Sequence, residues 1–139
     1  MLCKAVLAVL LAVAVAGCAT MSNKPPVDQK AGVKKVMEQW KTAMEAKNVD
    51  EVMNLLSPKA FKSPEFGGYA EFKDNLGKFI ADGKLDNAKI DLDTAQITVE
   101  DEKATVYPVG IKAAFGEGTL SFQLRREEGK WLIVNMAQG

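Results

Sequence analysis

The stretch that decides the fold is TLSFQLRREEGKWLIVNM, Thr119 to Met136. Leu120, Phe122 and Leu124 alternate with Ser121, Gln123 and Arg125, the period of a strand with one buried face. Arg126, Glu127, Glu128 and Gly129 supply a polar turn, and Trp131, Leu132, Ile133 and Val134 return from it. The spacing predicts an antiparallel hairpin. Phe122 faces the core, whereas Trp131, opposed in phase to Leu132 and Val134, falls on the outer face. A hairpin alone cannot bury its apolar side, so a second layer must cover it, and the long amphipathic segments lie between Val33 and Ile80.

Immediately upstream the period is again two. Ala88, Ile90 and Leu92 alternate with Lys89, Asp91 and Asp93, after which Ala95, Ile97 and Val99 carry a shifted phase, as in one long strand bent at a bulge. Glu100 to Lys103 is a turn, and Ala104 to Lys112 a further strand with Tyr107, Val109 and Ile111 on one face. Pro108 has no N–H to donate and marks an edge or a bulge.

Farther upstream the period changes to that of a helix. Val33, Val36, Met37, Trp40 and Met44 form one apolar stripe on a helix starting near Asp28. Asn48 and Glu51 make a capping-box pattern for a short second helix that Ser57-Pro58 stops. Lys59 to Gly68 reads as an irregular loop with Phe61 and Phe66 as plugs. Tyr69, Phe72, Leu76, Phe79 and Ile80 line a third helix that ends at Gly83. The fold class is therefore α+β: N-terminal helices packed on a curved antiparallel sheet of about four strands.

The N-terminus has another character. A short basic start precedes an apolar run from Ala5 to Ala16, too short to span a bilayer permanently but suited to a secretory signal. Val15-Ala16-Gly17-Cys18 resembles the lipobox of bacterial lipoproteins. The resemblance implies a signal peptide over 1–17, a diacylglycerol on Cys18, and attachment to membrane lipid through that residue. Residues 18–29, with Pro25-Pro26, read as the lipidated cysteine and a flexible tether, and 30–139 as the globular domain. With Ala19 rather than aspartate after the cysteine, lipoprotein sorting implies the periplasmic face of the outer membrane of a Gram-negative host. Removal of Cys3 and acylation of Cys18 would leave the domain without a disulfide.

The chain has 139 residues and zero formal net charge, enough for one modest domain. Its charges are interspersed, with no basic stripe or aromatic interleaving that would track a phosphate backbone, so nucleic acid is not an expected partner. Histidine is absent, which removes the commonest general base and transition-metal ligand. Glu100, Asp101 and Glu102 lack calcium-loop spacing, and no serine has a partner to activate it. No metal or cofactor is expected.

The order of elements, the tryptophan on the first helix, Leu55-Leu56-Ser57-Pro58 ending the second, and Gly129-Lys130-Trp131-Leu132-Ile133 in the last strand resemble the nuclear transport factor two-like, or cystatin-like, superfamily. The resemblance covers about Lys30 to Met136 and includes the SnoaL-like and ketosteroid isomerase proteins. It implies a cone-like sheet with an apolar pocket at its open end, lined by Trp40, Phe72, Phe79, Tyr107 and Phe122. Isomerases of the group carry a first-helix tyrosine and its dehydratases a His-Asp pair, neither of which this chain supplies. The expected role is an envelope lipoprotein domain binding a small apolar ligand or an envelope protein. The alternatives are a small enzyme using carboxylate and tyrosine, with Asp91, Asp93, Tyr69 and Tyr107 as its candidate groups, or a structural lipoprotein acting as a homodimer. Ile111, Phe115 and Trp131 are the candidate interaction face.

Overall fold

The computed structural model describes residues 25–139. The apolar run Ala5 to Ala16, the lipobox cysteine Cys18 and most of the tether lie outside the described residues. Helix α1 (Pro25–Glu45) begins ahead of Asp28, at the proline pair. Prolines are tolerated there because N–H groups in the first helical turn have no intrahelical acceptor. Helix α2 (Val49–Asn54) follows, with Asn48 Oδ1 accepting from the Glu51 N–H at 3.2 Å as a side-chain cap. Two short strands, β1 (Lys62–Ser63) and β2 (Gly67–Gly68), lead into helix α3 (Tyr69–Ala81). Then come β3 (Lys89–Asp91), β4 (Gln96–Glu100), β5 (Lys103–Ala113), β6 (Gly116–Glu127) and β7 (Lys130–Gln138).

The sheet corrects the expectation of a curved, cone-like antiparallel sheet of about four strands. It has seven strands in the order β2-β1-β7-β6-β5-β3, with β4 also on β5, and β1 runs parallel to β7, so it is mixed and open at both ends. The extra strands have physical reasons. β1 and β2 are two residues long, too short to show a period, and β1 is held at long range by the pairing of Lys62 with Asn135 and by Ser63 Oγ donating to the Met136 carbonyl, after an isolated bridge between Leu56 and Ile133 in which Ser57 N–H donates to the Ile133 carbonyl at 2.9 Å and Ile133 N–H to the Leu55 carbonyl at 2.8 Å. The phase change after Leu92 is a turn between two strands rather than a bulge within one. There Asp93 N–H donates to Asp91 Oδ1, and both strands pair with β5.

The closing hairpin turns on Glu128 and Gly129 alone, with φ of 51° and 80°, the left-handed pair that suits the twist of two strands. Leu120, Phe122 and Leu124 are buried as their alternation requires. Trp131 is also buried, at 8% exposure, and with Ile133 it faces the core while Leu132 and Val134 are half-buried. An uninterrupted apolar run has no alternation to name its inner face. What selects Trp131 is α1: a Cβ added at Gly32 would lie 3.0 Å from Trp131 Cδ1.

The core is built around Trp40 and Phe122, both fully buried, their rings edge-on at 4.7 Å and 71°. Cutting a buried aromatic of this kind to alanine costs about 3–5 kcal/mol, against about 0–1 kcal/mol for an exposed ion pair, so this contact seats the helix on the sheet. Polar clamps then fix the periphery. On α1, Lys41 Nζ donates to the Ile90 carbonyl at 3.0 Å and Glu45 accepts from the Ile90 N–H at 2.9 Å, with Lys41 and Glu45 paired at 3.2 Å. Side chains thus satisfy the backbone of β3, the last strand in the sheet order. At the other end Ser57 Oγ donates to Glu127, which Arg125 also holds at 3.0 Å.

Both clamp carboxyls lie below their ordinary value. For Glu127 the Arg125 hydrogen bond is the main cause, opposed by burial and helped by Ser57. For Glu45 burial pulls upward, but the Ile90 N–H, the Lys41 bond and the Lys41 charge together outweigh it. A depressed folded pKa stabilises the fold above the unfolded value and ceases to do so as pH falls through the folded one. The melting temperature should therefore fall as pH drops below about 4.5. Thermal melts of wild type and Glu127→Gln across pH should show their largest gap near about pH 7 and convergence in acid. A gap that does not change with pH would contradict the clamp.

Candidate functional site

A cavity lies between the apolar stripe of helix α3, part of α1, and the ends of β6 and β7. The volume is about 570 Å³, within the range that holds a small organic molecule. Trp40 and Met44 from α1, Phe72, Leu76 and Phe79 from α3, Leu85 after it, and Leu120 and Met136 from the sheet form its apolar wall. Phe66 packs against Phe72 at 5.9 Å and belongs to the same wall. Polar groups are few: Asn75, Glu117, Thr119 and Gln138. Among the described residues Glu117 is the one ionisable side chain of the wall, and its carboxylate pairs with Lys112 at 3.2 Å.

Phe115 lies at the mouth. It occupies the turn between β5 and β6, which is tied down by Ala114 N–H to the Asp86 carbonyl and Phe115 N–H to the Lys84 carbonyl, each at 3.0 Å. Its ring meets Phe79 at 5.5 Å, and Lys84 Nζ sits 5.4 Å from the Phe79 centroid. Phe115 nonetheless remains 41% exposed. Gly118, also in the wall, has extended backbone, and a Cβ there would make only ordinary contact with Ile111.

Of the residues singled out from sequence as pocket-lining, the structure brings Trp40, Phe72 and Phe79 together in this wall. Phe122 lies behind Trp40 in the solid core, outside the wall. Tyr107 is 46% exposed and also outside it. The register of β5 and β6 shifts between Val106 and Val109, so both valines point inward and Tyr107 is turned out. The three interaction-face candidates separate: Ile111 and Trp131 are buried, Phe115 is exposed, and Ile111 and Phe115 belong to the cavity. Met44, Phe66 and Met136 were not singled out. Met44 shares the helical stripe with Trp40 and Phe66 reads as a loop plug, whereas nothing local marks Met136.

A second, larger concavity of about 1320 Å³ lies between α1 and the β3–β4 edge. Lysines such as Lys34 and Lys89 alternate there with carboxylates such as Glu38 and Asp91, all exposed, so it is a broad solvated cleft of mixed charge. Asp91 and Asp93 are in it, bonded to one another through the Asp93 N–H. Tyr69 Oη donates to the Met53 carbonyl at 3.4 Å. The candidate carboxylates and tyrosines are thus dispersed. Among the described residues no three His, Cys, Asp or Glu side chains gather as a metal site would need, and no helix is long and apolar enough to cross a membrane.

Comparison with solved structures places this arrangement. A candidate dehydratase of the NTF2-like family from Streptomyces avermitilis matches with a TM-score of 0.69 at 15% identity, over 82% of this chain and 96% of its own. A protein of unknown function with a cystatin-like fold from Nostoc punctiforme matches at 0.66 and 13% identity, over 82% and 91%. The chain has the NTF2-like, cystatin-like fold. An NTF2-like protein of unknown function from Pseudomonas putida KT2440 matches equally well, with a TM-score of 0.67, 11% identity and coverage of 81% and 87%. No family model and no curated protein matches the sequence. Identities this low carry the NTF2-like fold and nothing about activity.

Proposed function

We propose that this NTF2-like domain binds a small apolar molecule in the cavity between α3 and the ends of β6 and β7. The observation that supports the reading is the cavity itself, about 570 Å³, walled by aromatic and aliphatic side chains with a sparse polar set. Binding is favoured over catalysis because the groups a carboxylate–tyrosine enzyme would converge are apart. Asp91 and Asp93 are in the other cleft, Tyr69 is engaged with Met53, and Tyr107 is outside the wall.

Gly118→Phe places an aromatic ring at the wall from a strand position without positive φ, its Cβ in ordinary contact with Ile111. Titration with the uncharged dye N-phenyl-1-naphthylamine, followed by its fluorescence, should show saturable binding to wild type and a loss of about tenfold or more in the variant, with thermal melting little changed. Equal binding by both would contradict the cavity as the site.

The lipobox resemblance supports a second element of the proposal, that the domain is tethered to a bacterial membrane through acylated Cys18 and faces the periplasm. Metabolic labelling with tritiated palmitate should mark the wild-type chain and Cys3→Ser, and leave Cys18→Ser unlabelled. Labelling of Cys18→Ser would refute the anchor.

A further inference from the structure

Strand β4 is paired on one side only. Its register on β5 sets Glu100 opposite Lys103, Thr98 opposite Thr105 and Gln96 opposite Tyr107. The Glu102 carbonyl accepts from the Arg126 N–H of β6, so the next residue, Lys103, turns its backbone groups to β4 and bonds with Glu100. By the alternation of an antiparallel ladder Gln96, Thr98 and Glu100 bond to β5, and the N–H and C=O groups of Ile97 and Val99 point away from the sheet.

The neighbouring edge strand is closed. In β3 the outward groups of Ile90 are taken by Lys41 and Glu45, whereas among the described residues no side chain and no strand reaches those of Ile97 and Val99. Ile97 and Val99 share the core-facing side of the sheet with their partners Val106 and Ala104, which are buried, yet they are themselves only half-buried. Backbone groups and apolar side chains are thus both left for an added strand.

Charge and register select the strand that fits. Five lysines and five carboxylates line the cleft beside this edge, so it favours neither an acidic nor a basic segment, and a second copy brings the same balanced set. The sequence Gln96-Ile97-Thr98-Val99-Glu100 is close to a palindrome of polar and apolar positions. Laid antiparallel against itself about Thr98, it sets Ile97 opposite Val99 of the second copy, so the open backbone groups satisfy one another and the half-buried side chains cover each other. Glu100, the one charge of the strand, then faces the Gln96 amide, which can donate to it. Sliding the pairing toward Glu100 leaves part of the strand unpaired and brings the two Glu100 carboxylates together.

We propose that two copies of this chain join their sheets edge to edge through β4, antiparallel about a two-fold axis at Thr98.

The test uses the full chain with Cys3 and Cys18 both changed to serine, which leaves no native thiol. At the axis the two Thr98 residues form a non-hydrogen-bonded pair with Cα atoms about 4.5 Å apart, within reach of a disulfide. Under mild oxidation Thr98→Cys should give a disulfide-linked dimer about tenfold or more faster than Asp74→Cys, an exposed position on α3. Gln96→Cys and Glu100→Cys should link to each other when mixed, and neither to itself. Val99→Pro, which removes an outward N–H and no bond to β5, should abolish the advantage of Thr98→Cys. If Val99→Pro does not fold, the cysteine pattern decides. A Thr98→Cys rate equal to that of Asp74→Cys overturns the pairing, as does self-linking of Gln96→Cys or Glu100→Cys as ready as their linking to each other.

Discussion

Trp40 and Phe122 meet edge to face at 4.7 Å with no exposure of either, and this contact joins the first helix to the middle of the sheet. It sets α1 across the sheet at β6. Once the helix is seated there, Gly32 lets Trp131 approach one of its turns, and Lys41 and Glu45 reach the backbone of Ile90 from another. The apolar packing supplies most of the stabilisation, and the polar bonds fix position and cover the β3 edge. The space between α3 and the sheet is the cavity, so the residue that anchors the core also forms part of the ligand wall.

How far the fold could be read depended on whether each signal was local. Alternation in β6 named its inner face, and helical spacing named the stripes of α1 and α3. In β7 the run Trp131 to Val134 is apolar at every position, so periodicity could not choose a face, and the choice belongs to a distant glycine. β1 is defined by bonds to residues some seventy positions away in the chain, such as Ser63 to Met136, β2 pairs in turn with β1, and neither leaves a local pattern. The bulge foreseen at Pro108 is present, and it is what turns Tyr107 away from the face its phase implied.

The cavity was legible to a similar degree. Trp40, Phe72 and Phe79 lay on helical stripes, so their convergence followed once both helices were packed on one sheet. Phe115 sat between small residues in a turn, and only its backbone bonds to Lys84 and Asp86 bring it to the mouth. Fold resemblance adds no activity, since one fold serves many chemistries, and the functional reading comes from the apolar wall and its sparse polar set.

The central claim is that the cavity holds a small molecule. Native mass spectrometry of the full chain, extracted from its own cells under mild detergent, tests it most directly. The account predicts a population carrying a non-covalent, apolar compound that is released on collisional activation. A chain that is uniformly bare under conditions preserving other non-covalent complexes would contradict it.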